Sequence, residues 1–459
     1  MSAEGSPFWL DETVTWWASN HGLRELITRC TFWPGSILYN AFILLLRSWG
    51  AHREWILRVP SLAGVAGSAF ILFDLARRWF SKRVAIAAVV FYCTQPWVAF
   101  AAADARPYGL GMLFVTGSTW LMLRWLDTQR TAHACAYAVA AALVIHFHML
   151  FATVLVFHVI FLVVAMPRRP RVLRQAAIAA CIVTVLALPL LPQYLYAFTG
   201  RSEHTFSNPR TLWDLFRQFL PTVPMLGSAL VAAVLPKWRP TQRTRIARRS
   251  MALAGLWAGV PLVLLYVAAK LSGSDLFVGR YALPYVPGIA LCFGLVLEYL
   301  SPRLRTGLVL LVFLIPTAVS SVRGEFASHT TWGNWAAAIR LVDSENAAGK
   351  LPVMMRSPFP ESDFFDWRTA KMNDSALYAP LAYYSSGSDW YPLPATFSAG
   401  AATAIDGVMQ SQAGSTRGLF FVMRDDGRMG DSYLDYFRSR GSLRQVGDFE
   451  GVRVFEWQL

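Results

Sequence analysis

The chain has 459 residues, of which 55% are hydrophobic, 14% aromatic and only 15% charged. Its mean hydropathy is +0.39. Soluble domains carry about 25% charged residues, so this composition excludes a disordered, fibrous or ordinary cytosolic protein and indicates a polytopic membrane protein. The formal net charge of +14 would suit a nucleic-acid binder, yet no nucleic-acid motif accompanies it.

Taken in chain order, residues 1–10 hold no signal-peptide pattern. The stretch Trp33–Gly50 is apolar but short, and Arg47 interrupts it, so a re-entrant or surface helix is expected there rather than a crossing. Ten candidate spans follow, near Ser61–Phe80, Val84–Ala102, Gly109–Trp125, His133–His148, Leu150–Met166, Gln175–Leu191, Val223–Leu235, Met251–Lys270, Tyr281–Leu300 and Thr306–Ser320. After Val322 the chain turns rich in Asp, Ser, Gly and Arg and has no spanning run. Strands are expected at Leu351–Met355, Gly418–Met423 and Val452–Trp457, and helices at Trp332–Val342 and Tyr433–Arg440. The expected layout is a first loop with surface or re-entrant helices (1–60), a transmembrane domain (61–321) and a small soluble α/β domain (322–459).

Basic residues set the orientation. Five connections hold 18 of the 42 Lys and Arg: Arg77, Arg78, Lys82 and Arg83; Arg124 and Arg130; Arg168, Arg169, Arg171 and Arg174; Lys237 to Arg249; and Arg303 with Arg305. They fall on every second connection, which places them in the cytoplasm by the positive-inside rule. The alternate loops, both termini and the C-terminal domain are then expected outside. An external N-terminus without an export signal has two explanations, a further helix upstream of Met1 or N-out insertion of a short tail. The five cysteines (Cys30, Cys93, Cys135, Cys181 and Cys292) are scattered singly, with no zinc, redox or disulfide spacing.

Charges at a membrane boundary are costly and tend to face a cavity or a partner. Asp11 and Glu12 in "FWLDETVTWW" are one such pair, with a solvated turn carrying an N-cap as the plain alternative. Asp104 and Arg106 in "AAADARPYGL", with Tyr108 beside them, are another; a local ion pair would explain them equally. Arg280, with Tyr281, opens a span in "VGRYALPYVPG", and Arg58 sits in "ILRVPS"; an arginine there can hold a phosphate or simply anchor at the interface. His146 and His148 in "IHFHMLF" form an H-x-H pair, but residues two apart do not share a helix face, so a shared metal would need unwound backbone and added carboxylates. No Walker loop, Rossmann glycine set, H-E-x-x-H or G-x-S-x-G pattern is present.

In order, "FWLDETVTWW", "WILRVPSLAGVAGSAFILFDLARRWFSKRVAIAAVVFY", "ADARPYGLGMLF", "LVIHFHMLFA" and "GRYALPYVPG" resemble bacterial relatives of the dolichyl-phosphate-mannose protein mannosyltransferases. These are membrane glycosyltransferases of the C-type fold, a superfamily that includes the lipid A aminoarabinose transferase. The resemblance runs from about Phe8 to Ser320, and it departs from the family pattern in lacking a span before the Asp-Glu pair. It implies a polyprenyl-phosphate-linked sugar as donor, used at the outer face of a bacterial inner membrane, with Asp11 in the place of the catalytic acid. The acceptor would be the hydroxyl of a glycan, lipid or protein, and the transferred group a hexose or pentose. A carboxylate can deprotonate that hydroxyl as it attacks the anomeric carbon, which would invert the configuration. Arg106, Arg280 and Arg58 are the candidates for the leaving phosphate. A divalent metal could assist it, although no ligand set is visible. The alternatives are a transporter or lipid flippase, for which charges within spans would mark the path, and a catalytically inactive relative.

Overall fold

In a computed structural model of the chain, the described residues are 6–32, 35–50, 53–165, 170–199, 211–219, 227, 247–273, 276–298, 300–322, 333–346, 351–364, 367–368, 375–385, 390–411, 418–425 and 430–459. The first eight helices are α1 (Leu10–Ala18), α2 (Leu23–Phe32), α3 (Ile37–Ser48), α4 (Glu54–Trp79), α5 (Lys82–Cys93), α6 (Pro96–Ala103), α7 (Tyr108–Thr128) and α8 (Thr131–Phe147). Two compact units emerge. One comprises Met1–Arg29, Asn40–Trp55 and Glu325–Leu459; the other comprises Cys30–Tyr39 and Ile56–Gly324.

The second unit is a helical bundle. Each expected span coincides with helix except Val223–Leu235, which apart from Gly227 lies outside the described residues. By length and composition α4, Pro170–Thr199 and Arg248–Ser272 are able to cross a membrane; α5 and α6 qualify as a broken span, bent by 67°. The break falls at Thr94–Gln95, just before Pro96, whose missing N–H starts a new helix. α3 has 12 residues, too short to cross at 1.5 Å per residue. Other apolar helices, such as α8 and Leu283–Glu298, are also shorter than 18 residues.

Small residues let the helices approach. A Cβ on Gly64 would lie 2.5 Å from the Gly109 carbonyl carbon, and one on Gly109 would strike the Ser61 carbonyl oxygen. α4 and α7 therefore touch backbone to backbone, the packing that membrane helices use in place of a hydrophobic driving force. Leu72, Phe91, Met112, Trp125, Phe157, Trp257 and Phe293 fill the bundle core. Several of its buried polar groups are paired: Ser68 bonds Tyr92 at 2.9 Å, Thr119 bonds His158 at 2.9 Å, and Trp125 donates to Gln175 at 2.9 Å.

The first unit contains a five-stranded sheet in the order β2-β1-β3-β5-β4. The strands are β1 (Val353–Arg356), β2 (Trp390–Leu393), β3 (Gly418–Arg424), β4 (Ser442–Phe449) and β5 (Val452–Gln458). β1 is parallel to β2 and β3, whereas β3–β5 and β5–β4 are antiparallel. Glu450 and Gly451, both at positive φ, close the β4–β5 hairpin. Met354, Phe421, Tyr433, Phe437 and Trp457 pack the core of this unit. The expected strands and helices of this region are present, so the fold is a helical membrane-type bundle with a small C-terminal α/β domain.

Candidate active site

Within the bundle, the charged motifs come together where α6 ends and α7 begins. α6 stops at Asp104, whose extended backbone turns the chain toward α7, and the side chain of Asp104 is fully buried. The Arg106 amide donates to the Asp104 carbonyl at 2.7 Å. α4 holds this turn in place: Ser61 donates to the Arg106 carbonyl at 2.8 Å, and the Tyr39 hydroxyl lies 3.2 Å from Ser61. Arg58, one turn earlier on α4, is 3% exposed.

Aromatic rings line the same end. The Tyr108 ring is 5.3 Å from that of His148, and His148 is 5.2 Å from Tyr281. Arg280 lies over Tyr281 at 5.3 Å, a cation–π contact. His148 ends α8 in an extended conformation and lies within electrostatic reach of both Arg106 and Arg280. Its Nδ1 is buried and has no hydrogen-bond partner among the described residues. Arg106, Tyr108, His148, Arg280 and Tyr281 thus share one locus, and Arg58 is buried one helical turn before Ser61 on α4. Positive charge predominates there, which suits an anionic phosphate.

His146 is not part of this group. Its Nε2 lies 2.8 Å from the Leu186 carbonyl oxygen, and its own carbonyl accepts from Ser36 at 2.9 Å. The two-residue spacing separates the histidines as helix geometry requires. Among the described residues no group of three or more His, Cys, Asp or Glu could hold a metal ion.

Asp11 and Glu12 occupy the first turn of α1 in the other unit. Glu12 is fully buried, and its Oε2 accepts from the Trp9 amide at 3.2 Å, which caps the helix. Asp11 is half-buried one position earlier. The carboxylates also meet the positive end of the helix dipole. Residues distant in sequence fix this turn. Tyr384 accepts from the Phe8 amide at 2.6 Å and donates to Glu54 at 2.8 Å, while Tyr383 lies 5.2 Å from Phe8 and 5.0 Å from Trp16. Burial and the Glu54 carboxylate push the Tyr384 phenol well above its ordinary range, so it stays a neutral donor. At the far end of α1, Arg29 donates to the Trp17 carbonyl and Arg47 to that of Ser19, both at 2.7 Å.

Tyr39, Tyr383 and Tyr384 had no signal in the sequence, since none belongs to a charged motif; Ser61 sits at the end of the Arg58 motif, but nothing there marks its hydroxyl. The Gly64–Gly109 contact could have been found from the small residues in the two quoted motifs.

Residues 35–196 match the family model of dolichyl-phosphate-mannose-protein mannosyltransferase. No curated protein sequence matches the chain at a significant level. Among solved structures, ArnT from Cupriavidus metallidurans in the apo state is 15% identical with a TM-score of 0.50, covering 91% of this chain and 86% of that one. ArnT from the same organism bound to undecaprenyl phosphate is likewise 15% identical with a TM-score of 0.50, covering 91% and 87%. The fold is thus similar to that of ArnT, and residues 35–196, within that fold, carry the sequence profile of the dolichyl-phosphate-mannose-protein mannosyltransferases.

Proposed function

We propose that this protein is a multi-pass membrane glycosyltransferase that moves a sugar from a polyprenyl-phosphate donor to an acceptor hydroxyl at the outer face of a bacterial inner membrane. The observation that carries the reading is the convergence of Arg106 and Arg280 with Tyr108, His148 and Tyr281 at one end of the bundle. Most of this locus falls within the stretch matched by the mannosyltransferase family model, and undecaprenyl phosphate is bound in one structure of the same fold. An arginine locus of this kind can hold a lipid phosphate and stabilise the charge it gains on leaving.

In this reading Asp11 takes the proton of the acceptor hydroxyl. The freed oxygen pair attacks the anomeric carbon, the bond from that carbon to the phosphate oxygen breaks, and its electrons leave on the lipid phosphate. One displacement inverts the anomeric centre. Asp11 suits the role better than Glu12, because it is half-buried while Glu12 spends its carboxylate on the helix cap. The acceptor is a glycan, lipid or protein, the sugar a hexose or pentose, and the C-terminal domain lies outside the cytoplasm.

The test compares lipid-phosphate release from candidate polyprenyl-phosphate sugars by membranes carrying Asp11→Asn or Glu12→Gln at matched abundance. Asn keeps the shape of Asp but cannot take a proton, and general-base assistance is worth about 10²–10⁴ in rate. Turnover of Asp11→Asn should fall by at least about 10², with donor binding changed far less. Glu12→Gln keeps an acceptor for the Trp9 amide and should lose much less. Wild-type turnover in Asp11→Asn would overturn Asp11 as the base.

A further inference from the structure

Far from the arginine locus, the end of α4 and the start of α5 border an open surface cleft of about 670 Å³ lined by Phe73, Arg77, Arg78 and Lys82. That volume lies within the range of sites that hold small ligands. Twenty residues of continuous helix separate Arg58 from Arg78. At 1.5 Å per residue this is about 30 Å, the thickness of a bilayer's hydrocarbon core. The two basic loci on α4 therefore belong to opposite membrane faces.

The arginines at this cleft are held in place. Asp74 Oδ1 accepts from Arg77 Nε at 2.9 Å, and Oδ2 accepts from Arg78 Nε at 2.7 Å. Trp120 Nε1 on α7 donates to the same Oδ2 at 2.9 Å, which fixes the carboxylate from a second helix. Both guanidiniums remain about half exposed. Lys82 is exposed and has no ion-pair partner among the described residues. Three cations against one carboxylate leave the cleft positive. Orientation alone would need the charges but not an acid, itself held by Trp120, that orients two guanidiniums beside a cleft. One helical turn toward the membrane from Phe73 stands Phe70, 72% exposed on the same face of α4.

We infer that this cleft is a binding site for the phosphate of an anionic membrane phospholipid, with the headgroup among Arg77, Arg78 and Lys82 and an acyl chain along Phe73 and Phe70. The chemistry is charge-assisted hydrogen bonding to phosphate oxygens by guanidiniums already held in position. The apolar stripe beside the cations favours a lipid over a free phosphate. The inference rests on the chain being a membrane protein and is independent of glycosyl transfer.

The test uses the purified full-length chain in detergent, titrated with phosphatidylglycerol, phosphatidylcholine or inorganic phosphate and read by native mass spectrometry together with thermal unfolding. Phosphatidylglycerol should bind at least about tenfold more tightly than phosphatidylcholine. A basic group near a membrane surface contributes about fivefold in affinity, so Arg77→Gln/Arg78→Gln/Lys82→Gln should weaken phosphatidylglycerol roughly a hundredfold. Arg303→Gln/Arg305→Gln, which removes basic charge elsewhere, should leave it unchanged. Lys82→Gln alone spares the Asp74 network and should still cost about fivefold, so misfolding of the triple variant does not decide the matter. Equal binding of the two lipids, or equal weakening by the Arg303/Arg305 pair, overturns the site. If inorganic phosphate binds as tightly as phosphatidylglycerol, the lipid assignment is overturned.

Discussion

Replacing Gly109 with alanine should separate the arginine locus, the proposed donor site, from its support without touching a charged group. A Cβ at this position would lie 2.7 Å from the Ser61 Cα and 2.8 Å from the Ser61 carbonyl carbon, and closer still to the carbonyl oxygen. Ordinary contacts begin near 3.4 Å, so α4 and α7 must part by at least about 0.7 Å. The obstacle is backbone on both sides, so no rotamer change relieves it. Overpacking of this kind costs about 1–3 kcal/mol. The same parting would stretch the 2.8 Å bond from Ser61 to the Arg106 carbonyl toward 3.5 Å, where a hydrogen bond is lost. Arg106 would then shift relative to Arg58, and a misplacement of about 1 Å can lower a rate by about 10². Gly109→Ala should therefore reduce lipid-phosphate release by roughly that factor, assayed in membranes at matched abundance with thermal unfolding in parallel. Gly255→Ala is the control, because a Cβ there meets nothing within 4 Å. Wild-type turnover in Gly109→Ala would refute the claim that the α4–α7 contact positions Arg106.

The remaining expectations test separate links. Arg280→Lys keeps a charge but loses the planar fork and the ring contact with Tyr281, so donor affinity should fall; full activity in Arg280→Ala would remove it from the phosphate-binding set. Tyr384→Phe leaves the Phe8 amide and the Glu54 carboxylate without this hydroxyl, at a cost of about 1–3 kcal/mol, visible as a lower unfolding midpoint; an unchanged midpoint would mean that water replaces the hydroxyl. A reporter active only outside the cytoplasm, fused after Leu459, should be active; a fusion active only in the cytoplasm would overturn the topology and with it Asp11 on the outer face.

What the sequence disclosed and what it hid follow from the range of the interactions. Apolar runs report helices directly, since burial in lipid needs no partner residue, and every described candidate span is helical. β1, β3 and β5 were legible because their apolar residues form the buried strands, whereas β4 reads "SLRQVGDF", half exposed and largely polar, and β2 carries Pro392; neither pattern announces a strand until its neighbour is present. The locus of Arg106, His148 and Arg280 was legible as charges and rings at span ends, although its grouping depends on how helices pack. Arg47 shows the limit most clearly. In a hydropathy profile it is an interruption of α3; in the fold it donates to the Ser19 carbonyl and to Asn20, and covers the Trp16 ring at 5.0 Å. A cation satisfying carbonyls at the end of another helix stabilises that end through both hydrogen bonds and the dipole. The partner lies 28 residues away in sequence, and Tyr384 meets Phe8 across 376, so no local pattern encodes either contact. The residues that carry charge were therefore readable one by one, while the residues that hold the Asp11 turn in place became visible only through the fold.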